Sequence, residues 1–401
     1  MMNMLKLLPF AIATAVASGH LLANEQQNNS RFALVGYGDV KYEDSKLMDT
    51  SAFSARFVPI FLFSLNDKMH VEAETEISVD ENGETEIELE YADIHYFLSD
   101  TTTFTAGKFL LPFGQYGPNL HPSWINRSAF SPGIYGGLGG HGGYQPMQGL
   151  LPVMSDIGVG IQHIIPLGKN QKIFFDVYMT NGLAAEAPHD DEEDAHDEEP
   201  VQDGHEEEVV DEHAEEEDEH EEVDDHALEL PELAFEATSA DNNSDKAFGG
   251  RIAYAFLPGI EVGASYYTAK YDDDEELGFT ATGFDINWIG NHYIVRGEYI
   301  KTETDAFEED EHEENKVITF DRNGWYLQAT FMAGKMFNVL QGTDFVVEYA
   351  ETNKINEAER WAYGINYWLD SRAVIKATYE DTTVHDGEDD KRFAIQYSYG
   401  F

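Results

Sequence analysis

Lys391-Arg392-Phe393-Ala394-Ile395-Gln396-Tyr397-Ser398-Tyr399-Gly400-Phe401 closes the chain. Phe393, Ile395, Tyr397, Tyr399 and Phe401 fall two apart, the period of a β-strand with one apolar face. On a soluble sheet this segment would be an exposed edge ending on an aromatic, a ready template for aggregation. A membrane barrel presents such a face to lipid instead, and its alternating strands carry only a weak hydropathy signal.

The same alternation recurs towards the N-terminus, punctuated by turn residues. It predicts strands over 31–42, 51–65, 68–79, 84–98, 101–111, 155–166, 171–181, 246–257, 260–271, 276–289, 291–302, 321–333, 343–351, 360–369, 373–382 and 391–401. The count is even, as an up-and-down barrel with both termini on one side requires. Connections alternate in length as well. Asn66-Asp67, Ser99-Asp100, Gly168-Lys169-Asn170, Pro258-Gly259 and Asp370-Ser371-Arg372 are tight. The opposite set, 43–50, 112–154, 182–245, 303–320 and 383–390, holds the length and the charge. A two-sheet sandwich has no reason to segregate its loops in this way. Aromatics near strand ends, Tyr42, Phe97, Trp288, Tyr299, Trp361 and Trp368, suit interfacial girdles.

Composition removes several function classes. The 401 residues carry 24 Lys+Arg against 77 Asp+Glu, a formal charge of −53, so a basic face for nucleic acid is absent. The absence of cysteine excludes disulfides, thiolate metal sites and Cys nucleophiles. No run of about 18 apolar residues follows the first thirty positions, which excludes a helical membrane bundle. Neither G-x-S-x-G nor H-E-x-x-H occurs, so the chain is not read as an enzyme. At the N-terminus, a cationic start through Lys6, an apolar run from Leu7 to Ala17 and small residues around Leu21-Leu22-Ala23 read as a secretory signal peptide over 1–23. The barrel then occupies 24–401.

Ala106-Gly107-Lys108-Phe109-Leu110-Leu111-Pro112-Phe113-Gly114 leads into His121-Pro122-Ser123-Trp124-Ile125-Asn126-Arg127. With the leader and the terminal Phe401, this resembles the outer-membrane porin superfamily that includes the phosphate-selective porin O/P-like proteins. It is also similar to the siderophore porins of the legiobactin-receptor type. The resemblance implies a sixteen-stranded barrel in the outer membrane of a Gram-negative bacterium, lipid around it, a homotrimer, and passive passage of small solutes. Its terminal strand is similar to the signal read by the barrel assembly machinery. In general porins the third external loop folds inward, so the resemblance implies an eyelet built from Pro112 to Pro152. One departure stands out. The phosphate-selective branch has a ladder of Arg and Lys, whereas here Arg56, Lys108, Arg127, Arg251 and Arg296 are scattered, and phosphate specificity is not carried over.

Two groups of residues point to chemistry. Glu72, Glu74 and Glu76 alternate with Val71, Ala73, Thr75 and Ile77, and Glu86, Glu88 and Glu90 alternate with Ile87, Leu89 and Tyr91. Charge on the lipid face is costly, so the six carboxylates are expected to line the lumen, with Lys108 and Arg127 as further pore-lining groups. Their field favours cations; the plainer reading is solvated filler paired with lumen Lys and Arg.

The second group lies in an insert over 183–245. Between His189 and His226 there are 23 acidic residues, no Lys or Arg, and six histidines: His189, His196, His205, His213, His220 and His226. So much like charge predicts a disordered external loop. Imidazoles among carboxylates suit weak binding of Zn²⁺, Ni²⁺ or Cu²⁺, although a solvated acidic bristle has the same composition. No cofactor is required. The expectation is an all-β transmembrane antiparallel barrel that passes small solutes with a bias to cations and collects divalent metal at its mouth. The alternative is a siderophore or metal uptake receptor with saturable binding.

Overall fold

The computed structural model describes residues 31–47, 51–79, 83–136, 147–151, 154–185, 233–234, 243–274, 276–308, 316–385 and 387–401. The leader and the six histidines of the insert lie outside the described residues. Sixteen antiparallel strands close into one barrel. They are β1 (Phe32–Ser45), β2 (Ala52–Asn66), β3 (Met69–Val79), β4 (Thr85–Ser99), β5 (Thr102–Leu110), β6 (Ser155–Pro166), β7 (Lys172–Thr180) and β8 (Ala247–Leu257). The second half comprises β9 (Ile260–Lys270), β10 (Gly278–Ile289), β11 (Tyr293–Glu308), β12 (Lys316–Met332), β13 (Thr343–Asn353), β14 (Ala358–Asp370), β15 (Ala373–Val384) and β16 (Asp390–Gly400). Each strand pairs with its chain neighbour, and β16 pairs with β1 to complete the ring. Every backbone ladder is thus satisfied inside the wall, the condition for crossing hydrocarbon with strands.

The terminal strand has the predicted two faces. Ile395 and Tyr397 are exposed on the outside, while Ala394 and Ser398 have no exposed surface on the inside. Phe401 finishes the closure: its N–H donates to Gly36 O at 2.9 Å, its carbonyl accepts from Gly36 N at 3.2 Å, and its ring stacks on Phe57 at 5.2 Å. Around the barrel, outward positions such as Phe61, Val177, Phe284, Leu327 and Ile365 are large and apolar, the surface that lipid requires.

All sixteen expected strands are present, with the largest shifts of their ends at two. β11 and β12 extend to Glu308 and back from Lys316, so their connection is shorter than the expected 303–320. The extra rungs pair Glu303 with Asp321 and Asp305 with Thr319. Beyond the bilayer both faces meet water, so the apolar alternation that marks a strand disappears while the ladder continues. The long turn around 335–342 is filled by two short 3₁₀ turns, Ala333–Lys335 and Asn338–Leu340.

A bulge in β4 changes one predicted face. Glu74 pairs with Tyr91 but Thr75 pairs with Leu89, so Glu90 is the additional residue. Downstream of it the phase inverts. Tyr91, expected outside beside Ile87 and Leu89, is buried inside, as is Asp93, and Phe97 packs edge-on to His70 at 4.9 Å.

Candidate functional site

The site is the space inside the barrel and the described residues of the segment 111–154, which enter it from β5. Gly107 and Gly114 bracket the entry, and both have positive φ, 129° and 63°. A Cβ at Gly107 would lie 2.3 Å from the backbone oxygen of Ala92, and one at Gly114 would lie 2.0 Å from Glu298 Oε2. Both glycines of the quoted motif therefore have a steric reason. Gly107→Ala is expected to cost about 1–3 kcal/mol through strain, read as a lower midpoint for loss of the folded band on gels run without boiling.

Glu298 on β11 receives the loop as it turns inward. Gln115 N–H donates to Oε2 at 3.2 Å and Tyr116 N–H to Oε1 at 2.8 Å. The hydroxyls of Tyr135 and Tyr326 donate to the same carboxylate at 2.7 and 2.9 Å. From there the loop crosses the lumen. Arg322 Nη1 donates to Gly149 O at 3.0 Å, Arg360 Nη2 to Ser131 O at 2.7 Å, and Lys376 Nζ to Ser123 O and Ser128 O, the latter at 3.0 Å. Wall cations thus hold main-chain carbonyls of the loop. An apolar cluster of Phe113, Ile134, Tyr135, Met147 and Leu150 packs on Phe279, Ile300, Tyr326 and Ala350 of the wall. The eyelet expectation holds for the described part of the loop, which is folded into the barrel.

Register places five of the six glutamates on the inner wall, because Glu72 faces Asp93, Glu74 faces Tyr91, Glu76 faces Glu88 and Glu86 faces Ser78, while Glu90 is the bulge residue without a register partner. They are not one open row. Glu72, Glu74 and Glu76 are buried: Tyr37 donates to Glu74 at 2.9 Å, and Arg56 lies 3.3 Å from Glu76. Glu86 and Glu88 are exposed at the loop-bearing end of the strand pair. His121 of the loop is buried with Nε2 4.0 Å from Glu74. Burial by itself disfavours its charged form, yet Glu74 and Glu90 beside it raise its pKa above the ordinary value.

Of the two expected pore-lining cations, Lys108 stands outside and Arg127 inside. Lys108 is on the outer face, since its neighbour Phe109 points into the internal core and its pairing partners, Ala92 and Ile157, share the outward row. Its Nζ reaches back to Leu89 O at 2.7 Å, the behaviour of a lysine whose stem lies along apolar surface. Arg127 is inside but serves as an anchor, 3.2 Å from Asp344 and with its guanidinium 4.9 Å from the centre of the Trp368 ring. Trp368, expected in a girdle, faces inward and donates Nε1–H to Asp344 at 2.8 Å. Glu298, Arg322, Arg360 and Lys376 were not singled out by sequence, because each is one polar residue at an inward position with nothing to separate it from its neighbours. Among the described residues, no three His or carboxylate groups come together to hold a metal.

The profile of the Gram-negative porin family matches residues 61–399. No curated protein matches the sequence. Among solved structures, the OmpF of Salmonella typhi in complex with daunomycin is similar with a TM-score of 0.53 at 12% identity, covering 92% of this chain and 97% of that one. An anion-selective porin from Comamonas acidovorans is similar with a TM-score of 0.52 at 10% identity over 92% and 99%. The trimer form of OmpT, an outer-membrane protein of Vibrio cholerae, is similar with a TM-score of 0.50 at 10% identity over 92% and 99%. These likenesses concern the barrel, while the family match extends over most of the sequence. The chain belongs to the Gram-negative porin family and resides in the outer membrane of a Gram-negative bacterium.

Proposed function

We propose that the chain is a passive diffusion channel for small solutes, biased to cations, and that it works as a homotrimer without catalysing a reaction. The observation that carries the bias is the placement of Glu86 and Glu88, exposed on the inner wall at the mouth, while the inward Arg and Lys are engaged by carboxylates or by loop carbonyls. Exposed carboxylates in an aqueous vestibule raise the local cation concentration. The trimer follows the assembly of the similar Vibrio cholerae protein. The acidic, His-rich insert is proposed to collect Zn²⁺, Ni²⁺ or Cu²⁺ weakly at that mouth, on its composition alone.

The test is the zero-current potential of the reconstituted protein across a tenfold KCl gradient. A cation-selective potential is expected, and Glu86→Gln with Glu88→Gln should move it towards zero. Anion selectivity in the native protein would overturn the bias, and a flux that saturates with solute would mark a binding receptor instead. Deleting 189–226 should abolish any effect of micromolar Zn²⁺ on the current; an effect that survives the deletion would end the metal proposal.

A further inference from the structure

The connection from β12 to β13 runs through Ala333-Gly334-Lys335-Met336-Phe337-Asn338-Val339-Leu340-Gln341-Gly342. It lies at the end opposite the long loops, the periplasmic end of an outer-membrane barrel. Its neighbours at that end, Asn66-Asp67, Ser99-Asp100 and Asp370-Ser371-Arg372, are short and polar. This turn is neither. Val339 is 91% exposed, and Met336 and Phe337 are about half exposed. The one charge in the turn is Lys335, although the chain carries 77 acidic residues.

The shape of the turn keeps these side chains on the surface. Phe337 N–H donates to Ala333 O at 2.8 Å and Leu340 N–H to Phe337 O at 2.9 Å, so the backbone closes on itself in its two 3₁₀ turns. A Cβ at Gly334 would lie 2.7 Å from Gly342 N and 2.8 Å from Leu340 O, so the two ends of the turn touch. Phe337 leans outward and not into the lumen. Its ring lies edge-on to Phe331 at 6.5 Å, and Phe331 stacks on Tyr293 at 5.2 Å. Phe331 pairs across the ladder with Tyr293 and Phe345, both exposed on the lipid face. The turn is thus continuous with the apolar belt and extends it past the end of β12.

We propose that this turn is an interfacial anchor, lying in the phospholipid leaflet on the periplasmic side with Met336, Phe337 and Val339 among the acyl chains and Lys335 at the phosphates. An apolar ledge whose amides bond internally suits that zone, where unpaired backbone is costly, and a lysine reaches the phosphates along its own stem. In water, large apolar side chains gathered at the tip of a turn would be a liability. An anchor on one side of the rim fixes the height and tilt at which the barrel sits. Only residence in the membrane is required, so the anchor stands apart from the transport reading.

The chain has no cysteine, so one introduced thiol is a unique probe. The full-length protein carrying Val339→Cys is spin-labelled and reconstituted in vesicles of phosphatidylethanolamine and phosphatidylglycerol. Collision of the nitroxide with oxygen, which partitions into lipid, is compared with collision with a water-soluble nickel chelate. Asp67→Cys, in an exposed polar turn, and Val177→Cys, in the belt, serve as the water and lipid references. The label at 339 is expected to favour oxygen, as the belt reference does, at a depth of about 5–10 Å below the phosphates. Adding Phe337→Asp should move it towards water, with the barrel still folded on unheated gels. Nickel accessibility equal to that of the Asp67 site overturns the anchor. Protection from oxygen and nickel alike marks cover by protein, a second copy or another chain, and overturns it too. A label that stays at depth with Phe337→Asp means that the wall alone sets its position, and the anchoring role falls.

Discussion

Glu380→Ala is expected to remove about 3–5 kcal/mol of stability, enough to lower sharply the temperature at which the folded band is lost on unheated gels. Glu380 has no exposed surface, and it lies between two buried guanidiniums. Arg392 Nη2 donates to Oε2 at 2.6 Å, and Arg360 Nη1 is 3.3 Å from Oε1. Arg360 continues to Glu348 at 2.7 Å, and Arg392 reaches Glu43 at 3.6 Å. Carboxylates and guanidiniums therefore alternate across β13, β14, β15, β16 and β1, with Asp390 3.9 Å from Arg392 and Lys41 on Glu43 at the end of the row. Removing the central carboxylate takes from both buried guanidiniums the partner they share and leaves Arg392 with the longer contacts to Glu43 at 3.6 Å and Asp390 at 3.9 Å, the case in which breaking a pair costs more than the pair itself contributes. Glu380→Gln keeps the shape and one acceptor oxygen, so its loss should be smaller. A loss under about 1 kcal/mol for the alanine variant would mean that water solvates both guanidiniums as it does an exposed pair.

The wall was legible in the sequence because a lipid-facing strand can hide nothing: every second residue must be apolar over the thickness of the bilayer, and Phe393, Ile395 and Tyr397 display that directly. Loop parity then located the inserted segment. Two kinds of information were not legible. A bulge costs one residue and inverts every later face, so the alternation that placed Glu86 and Glu88 correctly put Tyr91 on the wrong side. Interior polar positions have no pattern either, since a lumen accepts charge, hydroxyl or amide alike. Lys108 was read as pore-lining on its charge, but a long aliphatic stem lets lysine occupy an outward position if its ammonium finds a carbonyl. The role of Glu298 depends on which loop atoms arrive beside it, and those come from about 180 residues earlier in the chain. The glycines of the porin-like motif were recognised by resemblance, and their positive φ values supply the physical reason.

Glu298→Leu should turn a narrow, steady channel into a wider and noisier one. The native carboxylate, 4% exposed, accepts from two loop amides at the point of entry and from the hydroxyls of Tyr135 and Tyr326. Hydrogen bonds to a charged acceptor contribute about 1.5–3 kcal/mol each, and four on one group are not additive. Leucine leaves all four donors without a partner inside the barrel, so the first turn of the loop gains by moving to where water can reach it. The strand ladders do not involve this side chain, so the folded band should persist while single-channel conductance rises roughly twofold or more and open-channel noise increases. Glu298→Gln separates the contributions: its single carbonyl oxygen can still accept from one pair of donors, but its amide nitrogen faces the other pair, so an intermediate conductance is expected. Native conductance in the leucine variant would mean that the packing of Ile134, Tyr135 and Leu150 on Tyr326 and Ala350 holds the loop without the anchor. In that event the constriction would be a property of the apolar core inside the barrel, and Gly114 would be retained for close approach to the wall alone.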